Sequence, residues 1–232
     1  MRKSKIHYIF ALLLGIPLFL YIDSPYFAIY FQHSQDLATL LVLIAFITLY
    51  KRSAKRFRTV MIVGIGVGFL GEFILSIGLG MYHYRLENIP LWVGFGHSLI
   101  FASVHKLIRI PYILQNQKKV FRTLLAFILV YATLWLILKD DVFGFGTTLL
   151  FLVLLAIDKK SKLFFTVMFV IVAYIEIVGT TTATWFWPDI LMGRFELIPS
   201  ANPPSGIALF YFLFDYIVLF IYLKLNPKVK LT

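Results

Sequence analysis

The sequence predicts an all-α protein, a single integral-membrane domain over residues 1–232 that forms a polytopic bundle of about eight transmembrane helices. Three observations predict it: the composition, the lengths of the apolar segments and the distribution of positive charge. Of the 232 residues, 60% are hydrophobic and only 14% are charged, which is too apolar for the surface of a water-soluble domain. The chain contains no cysteine, which excludes disulfides and thiolate metal sites.

Eight apolar segments follow one another along the chain. At 1.5 Å per residue each is roughly long enough to cross a hydrocarbon core of about 30 Å, allowing for tilt and interfacial ends. The basic "MRKSK" followed by an apolar segment is similar to a signal peptide. No small-residue cleavage site follows the segment, so we interpret it as a retained first helix. In order, the predicted helices cover 6–22, 35–50, 59–80, 91–107, 123–138, 143–157, 163–184 and 205–223.

Positive charge predicts the orientation of these helices. Every second connection is basic, and these connections with the two ends hold 19 of the 22 Lys and Arg residues, whereas the other connections hold only Arg85, Lys139 and Arg194. The positive-inside bias therefore predicts an even number of helices with both termini cytoplasmic, in the inner (plasma) membrane of the cell. The net charge of +11 is then explained by topology and by contact with anionic membrane lipid, and we expect no nucleic-acid partner.

A weak internal repeat relates the third helix with its exit loop to the seventh helix with its own. The copies read "GEFILSIGLGMYHYRLENIPLWVGFGH" and "IEIVGTTTATWFWPDILMGRFELIPSANPPSG". Each has a glutamate in the last third of an outward-going helix, then an aromatic-x-aromatic motif, then Ile-Pro. Four helices separate the copies, which favours two parallel four-helix repeats, 1–120 and 121–232, although two apolar stretches can also be similar by chance. The paired positions are Glu72 and Glu176, Tyr82 and Trp185, Tyr84 and Trp187, and Pro90 and Pro199.

Glu72 and Glu176 lie deep in their helices, roughly 12 Å below the outer boundary at 1.5 Å per residue. A charged side chain at such depth costs about 3 kcal/mol or more unless it faces protein or water. Each shares its helix face with small residues, which allow another helix to approach closely. We therefore expect both carboxylates to point into the bundle. The small residues are Gly64, Gly68 and Ser76 for Glu72, and Ala173, Gly179 and Thr180 for Glu176.

Two further polar residues are predicted at similar depth, Asp215 on the eighth helix and His97 on the fourth. Sequential helices tend to be neighbours, so Glu72 could contact His97 and Glu176 could contact Asp215. Two carboxylates in apolar surroundings tend to share a proton, and the neutral acid is then a competent proton donor. The four are our candidate catalytic residues, with the alternative that they only form interhelical hydrogen bonds or pack.

Aromatic residues follow both glutamates. Tyr and Trp at outer helix ends are typical of the interfacial belt, but rings above a carboxylic acid could also stabilise a cation on a hydrocarbon chain. The segment "IPSANPPSG" contains prolines and a glycine, which predict a rigid, non-helical connection to the eighth helix. Asn202 or Ser205 could cap that helix. The candidate substrate-binding residues are Tyr82, Tyr84, Trp92, Trp185, Trp187 and Asn202.

Common catalytic signatures are missing from the sequence. It contains no HExxH, no P-loop, no GxGxxG after a strand and no GxSxG. With five scattered histidines and no cysteine we expect no metal site and no cofactor. Any chemistry would depend on carboxylates and aromatic residues.

The repeated pattern of a glutamate, an aromatic pair and Ile-Pro resembles the bacterial and archaeal carotenoid-biosynthesis membrane proteins. That family includes the carotenoid 1,2-hydratases, which add water to a terminal isoprenoid double bond without a cofactor. The resemblance implies a multi-helix membrane enzyme with an apolar, carotenoid-like isoprenoid substrate. It covers two blocks of the chain, and its matching positions are Glu72, Tyr82, Tyr84, Pro90, Glu176, Trp185, Trp187 and Pro199.

Two hypotheses of different classes follow. The first is a cofactor-independent hydratase or cyclase-like enzyme, in which a carboxylic acid protonates a double bond and water or proton loss resolves the cation. The alternative is a small-molecule or proton-coupled transporter with paired intramembrane carboxylates. Discontinuous helices would favour transport, and an apolar groove that opens to the bilayer would favour the enzyme. A structural subunit explains the buried acids least well.

Overall fold

The computed structural model describes residues 6–158 and 160–226 and confirms the all-α prediction. Helices dominate, and short strands occur only in the loops of this described part. The helices are α1 (Ile6–Ile22), α2 (Pro25–Ala28), α3 (Ser34–Lys51), α4 (Lys55–Glu72), α5 (Trp92–Leu107), α6 (Pro111–Gln115), α7 (Gln117–Lys139), α8 (Val142–Ile157), α9 (Lys162–Thr181) and α10 (Ala208–Leu225). The strands are β1 (His83–Tyr84), β2 (Trp185–Phe186), β3 (Ile190–Leu191) and β4 (Phe195–Pro199).

The eight long helices correspond to the eight predicted segments. By length and composition, five are long and apolar enough to cross a membrane: α3, α4 with its continuation, α7, α9 and α10. Shorter apolar stretches cover Leu12–Ile22 of α1 and Val142–Ile157 of α8. Large apolar side chains such as Leu14 and Ile137 are exposed on the outside of the bundle. The chain is thus a multi-pass membrane protein.

Several helix ends differ from the predicted ones, for identifiable reasons. Helix α7 begins at Gln117 rather than 123, because its first turn, Gln-Lys-Lys, is helical but too polar to be counted as apolar. Helix α9 ends at Thr181 rather than 184, because Ala183 has a left-handed backbone conformation with φ of 54° that does not continue a helix. Helix α4 ends at Glu72, and Phe73–Gly78 continues it as a π-helix rather than an α-helix.

Close packing around α4 depends on small residues. A Cβ atom added to Gly68 would lie 3.3 Å from Cα of Gly94 on α5, so the two backbones approach closely. Nearly one turn further along α4, a Cβ atom on Gly71 would overlap the ring of Phe214 on α10. Helix α4 therefore packs against both α5 and α10 and carries Glu72 into the bundle interior.

The loops that follow Glu72 and Glu176 pair with each other. Strands β1 and β2 are antiparallel, with His83 opposite Phe186 and Tyr84 opposite Trp185. A two-fold axis between two equivalent segments places them antiparallel, as β1 and β2 are. The pairing agrees with the sequence repeat in these loops, while the division of the whole chain into 1–120 and 121–232 stays a prediction.

Candidate active site

Glu72 accepts hydrogen bonds from the loop that follows its helix. The Tyr82 and Tyr84 hydroxyls donate to its Oε2 at 2.6 and 2.8 Å. Its Oε1 lies 2.9 Å from Nε2 of His97 on α5, and the glutamate is only 4% exposed. Burial, reinforced by the neighbouring Glu72 carboxylate, raises the pKa of both tyrosines, so their hydroxyls keep their protons and remain donors. The predicted contact between Glu72 and His97 is present.

The segment after the π-helix turns the chain back over Glu72. Ser76 Oγ donates to the Tyr82 carbonyl at 3.0 Å, and Gly80 takes a left-handed backbone conformation with φ of 64°. A π-helix pairs each residue with the fifth one along rather than the fourth, so it accommodates one extra residue in the helix. The spacing agrees, because Tyr82 is ten residues after Glu72 whereas Trp185 is nine residues after Glu176.

Glu176 is held in the same way by the second loop. The indole N–H groups of Trp185 and Trp187 donate to its Oε2 at 2.9 and 3.0 Å. An indole nitrogen only donates, so a proton on this carboxyl group must lie on Oε1. Among the described residues Oε1 has no hydrogen-bond partner. A turn after Glu176, Gly179 leaves room for the Trp185 ring, which a Cβ atom would overlap.

The two clusters share one wall of aromatic rings. Tyr82 packs against Trp187 with ring centroids 4.6 Å apart, and Tyr84 packs against Trp185 at 6.1 Å. The rings follow the antiparallel register of β1 and β2, which places the first motif residue of one copy opposite the second of the other. The two sequence motifs thus form a single paired unit between two buried carboxylates.

An apolar cavity of about 550 Å³ leads to this unit. Glu72 and Glu176 line one end, Thr48 and Arg52 line the other, and apolar side chains of α1, α3 and α5 form most of the wall. Along α5 it reaches from Trp92 to Ser103, about 16 Å at 1.5 Å per residue. Such a space fits a hydrocarbon chain better than a polar solute.

Trp92 and Asn202 have different places at this site. Trp92 lines the cavity, and its indole donates to Oδ2 of Asp23 at 2.6 Å. Asn202 lies behind Trp187, outside the cavity lining, and its Oδ1 accepts the Trp187 backbone N–H at 3.0 Å. The geometry gives Asn202 the role of positioning Trp187, which differs from the predicted substrate contact.

The expected contact between Glu176 and Asp215 is wrong. Glu176 receives its hydrogen bonds from tryptophans, and Asp215 instead lines a second cavity of about 20 Å³ with Ser98, His97 and residues of α4. The long connection from Thr182 to Ile207 lets α10 pack on α4, which turns Asp215 away from α9. Proximity in sequence was therefore a poor guide for this pair.

Asp23 is a buried residue that the sequence analysis missed. Arg85 donates to its Oδ1 from Nη2 at 2.8 Å and from Nε at 3.1 Å, and Trp92 donates to Oδ2. Burial raises the pKa of Asp23, and the hydrogen bonds from Arg85 and Trp92 oppose that shift. The available signal was Arg85 itself, which lies in one of the connections that contain few Lys and Arg residues. A buried acidic partner could have been sought for such an isolated arginine.

Asp141 is a second missed residue, and it anchors the segment "SANPPSG". Its Oδ1 accepts from the backbone N–H groups of Gly144 and Ala201, and its Oδ2 from that of Ser205 at 2.7 Å. Asp141 therefore caps α8 and holds the loop before α10. The expected side-chain cap of α10 by Asn202 or Ser205 is wrong, because Ile207 occupies the cap position without a side-chain hydrogen bond.

Within residues 6–158 and 160–226, no three His, Asp or Glu side chains come together in a way that could hold a metal ion. Comparison of the chain with protein-family models, with curated proteins and with solved structures finds no match in any of the three.

Proposed function

We propose that this protein is an integral-membrane enzyme that adds a proton to a double bond of a long apolar isoprenoid, with hydration or cyclisation as the outcome. The observation that carries the proposal is the pair of buried carboxylates at one end of an apolar cavity, each held by two aromatic donors. The resemblance of the two motifs to carotenoid-biosynthesis membrane proteins supports a carotenoid-like substrate. The apolar lining supports the same class.

The hydrogen bonds support different roles for the two acids. Glu176 has one oxygen without a partner in the described chain, so its proton can be given to a substrate in the cavity. Glu72 is surrounded by three donor groups, which suit a carboxylate that accepts a proton. We assign Glu176 as the acid and Glu72 as the base.

The reaction balances with water as the only co-reactant. The proton on Oε1 of Glu176 adds to one carbon of the double bond, whose π electrons form the new C–H bond and leave a tertiary cation. The rings of Tyr82, Trp187 and their neighbours face this position and stabilise positive charge. Water adds to the cation and gives its proton to Glu72, or an internal double bond adds and a ring closes before the proton leaves.

Proton-coupled transport is a second candidate. The change to a π-helix after Glu72 and the unpartnered carboxylate of Asp215 are features that transporters also use. Against it, α4 and its continuation form one unbroken rod, and the main cavity is apolar along most of its length. These features favour the enzyme.

We further propose that the protein lies in the plasma membrane with both termini cytoplasmic. The basic connections support this orientation through the positive-inside bias. The cavity would then run from Arg52 near the cytoplasmic face to the carboxylates in the outer half.

The test is coexpression with a supply of acyclic carotenoids, followed by mass analysis of the pigments. We expect products that have gained one water or have cyclised. Glu176→Gln and Glu72→Gln keep nearly the same volume but cannot exchange the proton, and each should reduce product formation roughly a hundredfold or more. Glu196→Gln, at an exposed glutamate of β4, is the matched control and should be fully active.

Two results would count against the proposal in different ways. Wild-type protein that leaves every supplied carotenoid unchanged would reject the substrate. Full activity in both Gln variants would reject the acid mechanism even if products form. Transport would be indicated instead if vesicles that contain the protein took up a small molecule in a proton-dependent way and both Gln variants abolished this uptake.

A further inference from the structure

Arg52 is a charged residue that the proposed reaction does not use, although it lines the main cavity. It lies at the C-terminal end of α3, at the opposite end of the cavity from the two glutamates. The sequence has no acidic residue between Asp36 and Glu72. In the part of the chain that the structure describes, the guanidinium group makes no hydrogen bond and no ion pair. An arginine that faces a cavity in this state can bind an anion there.

The end of α3 does not need Arg52 as a helix cap, because Arg58 has that role. Nε of Arg58 donates to the carbonyls of Tyr50 and Ser53 at 3.0 and 2.9 Å. Its Nη2 donates to the carbonyl of Lys51 at 2.6 Å. These bonds satisfy carbonyls at the end of the helix and place a cation where the helix dipole favours one. The side chain of Arg52 is therefore available to a ligand.

Arg52 ends the face of α3 that lines the cavity. Four lining residues follow one another at spacings of three or four, which places them on one side of the helix. They are Leu41, Ala45, Thr48 and Arg52. The Thr48 hydroxyl donates to the Ile44 carbonyl at 2.7 Å, so it offers a ligand only its lone pairs. Along its length this face changes from apolar to positively charged.

Ser103 on α5 adds a hydrogen-bond donor at the same end of the cavity. Helices α3 and α5 are neighbours, and Phe46 packs against Phe95 with ring centroids 5.4 Å apart. From that contact, at 1.5 Å per residue, Arg52 is about 9 Å further along α3 and Ser103 about 12 Å further along α5. Ser103 lines the cavity, and in the described part of the chain its hydroxyl makes no hydrogen bond. A serine hydroxyl can donate to an anionic oxygen.

We propose that the cavity binds an isoprenoid with a phosphate head group, which lies at Arg52 and Ser103 while the far end of the chain reaches Glu72 and Glu176. This inference rests on the proposed function for the reaction at the far end, whereas the binding of the head group does not. The apolar wall between the two ends fits the hydrocarbon chain. Five of the eight residues 51–58 are Lys or Arg and none is acidic, which suits a head group with more than one negative charge.

The cavity keeps the head group away from the reacting double bond. The two ends are separated by about 16 Å, the distance from Trp92 to Ser103 along α5. The proton of Glu176 therefore adds to a double bond far from the phosphate, and the bond between carbon and phosphate oxygen stays intact. Binding of the phosphate at Arg52 fixes how far the chain enters the cavity, and so which double bond meets the acids.

The first test measures binding and does not depend on activity. Geranylgeranyl phosphate and geranylgeraniol differ only in the phosphate, and each is titrated into the purified full-length protein in a neutral detergent. The signal is tryptophan fluorescence, because Trp92, Trp185 and Trp187 line the cavity. We expect the phosphate to bind roughly tenfold more tightly than the alcohol. Arg52→Gln should abolish this preference and leave the affinity for the alcohol unchanged, and Arg52→Lys should keep part of it. Lys55→Gln, in the same connection but outside the cavity lining, is the matched control and should keep all of it.

The same titrations can overturn the head-group site. Equal affinities of the wild type for the two probes would do so, and so would a preference that survives Arg52→Gln. Displacement of geranylgeranyl phosphate by inorganic phosphate would indicate a site for a free anion, and equal displacement by phosphatidylglycerol would indicate a site for bilayer lipid. Should Arg52→Gln fail to fold, Ser103→Ala should lower the preference several-fold, and an unchanged preference in Ser103→Ala would then reject the site.

The second test follows conversion of geranylgeranyl phosphate by mass analysis. Its products should keep the phosphate and have gained one water or have cyclised. Arg52→Gln should raise KM roughly tenfold and leave kcat nearly unchanged, because Arg52 is far from the reacting atoms, and an equal loss in kcat would indicate a structural role instead. Protein that binds the phosphate through Arg52 but converts neither it nor a carotenoid would retain the head-group site and lose the proposed reaction. Conversion of carotenoids without any preference for the phosphate would do the opposite.

Discussion

Tyr82 and Trp187 lie with their ring centroids 4.6 Å apart, and each donates a hydrogen bond to a different buried glutamate. The contact joins two motifs that are more than a hundred residues apart in the chain. Movement of one carboxylate must therefore disturb the wall that the other uses. Such coupling fits the proposal that both acids act on one substrate.

We expect Tyr82→Phe and Trp187→Phe each to remove one hydrogen bond from one glutamate while the shape of the cavity is kept. Both keep a ring in the shared wall and remove one donor, and a hydrogen bond to a charged group is worth about 1.5–3 kcal/mol. Carotenoid conversion should fall in each variant, and the double variant should deviate from the product of the single effects because the residues touch. Tyr112→Phe, at an exposed tyrosine of α6, should change nothing. Independent effects of Tyr82→Phe and Trp187→Phe would argue against a shared wall.

We expect Gly179→Ala to displace Trp185 from Glu176. The added Cβ atom would overlap the indole ring, and overpacking of this kind costs about 1–3 kcal/mol. The thermal unfolding midpoint in detergent should fall, and tryptophan fluorescence should change. Gly66→Ala on α4 is the matched control, since its Cβ atom meets no neighbouring side chain and alanine is the better helix former. Equal midpoints for the two variants would contradict the packing of Trp185 on Gly179.

The sequence predicted the helices well because their apolar segments are long, and it predicted the burial of both glutamates from the small residues on their faces. The pairing of β1 with β2 and the donors to each carboxylate depend on how two distant loops meet, which a linear pattern does not contain. Asp215 was assigned to the wrong partner for the same reason, since helix packing rather than chain order sets its neighbours. Asp23 and Asp141 were missed because a single aspartate at a helix end looks like an ordinary cap or solvated residue.

We expect Arg85→Ala to destabilise the loops that contain Asp23 and Arg85 strongly. It would leave Asp23 buried without its cationic partner, and removing one partner of a buried ion pair costs about 3–5 kcal/mol. The loss should be greatest at neutral pH, because there the unfolded chain carries an ionised Asp23 that the folded state cannot accommodate. It should shrink near pH 4, roughly the ordinary pKa of an aspartate, where Asp23 is increasingly protonated in both states.

Asp23→Asn in the Arg85→Ala background is the internal control for this pair. It removes the charge that lacks a partner, so it should recover part of the unfolding midpoint and abolish the pH dependence. A loss of stability in Arg85→Ala that is the same at both pH values would show that the charge of Asp23 is not its cause.

The orientation of the helices can be tested on this cysteine-free chain with single cysteines and a membrane-impermeant thiol reagent. Leu197→Cys is well suited to the outer face, because Leu197 is 94% exposed on β4, whereas Gly193 has a φ of 62° that would strain a cysteine. Leu86→Cys samples the same face in the first loop, and Ala54→Cys and Tyr112→Cys sample the basic connections. If the basic connections are cytoplasmic, intact cells should label positions 86 and 197 only, and permeabilised cells should label all four. Labelling of 54 or 112 in intact cells would reverse the orientation, and labelling of only one position from each pair would contradict an even number of spans between the loops.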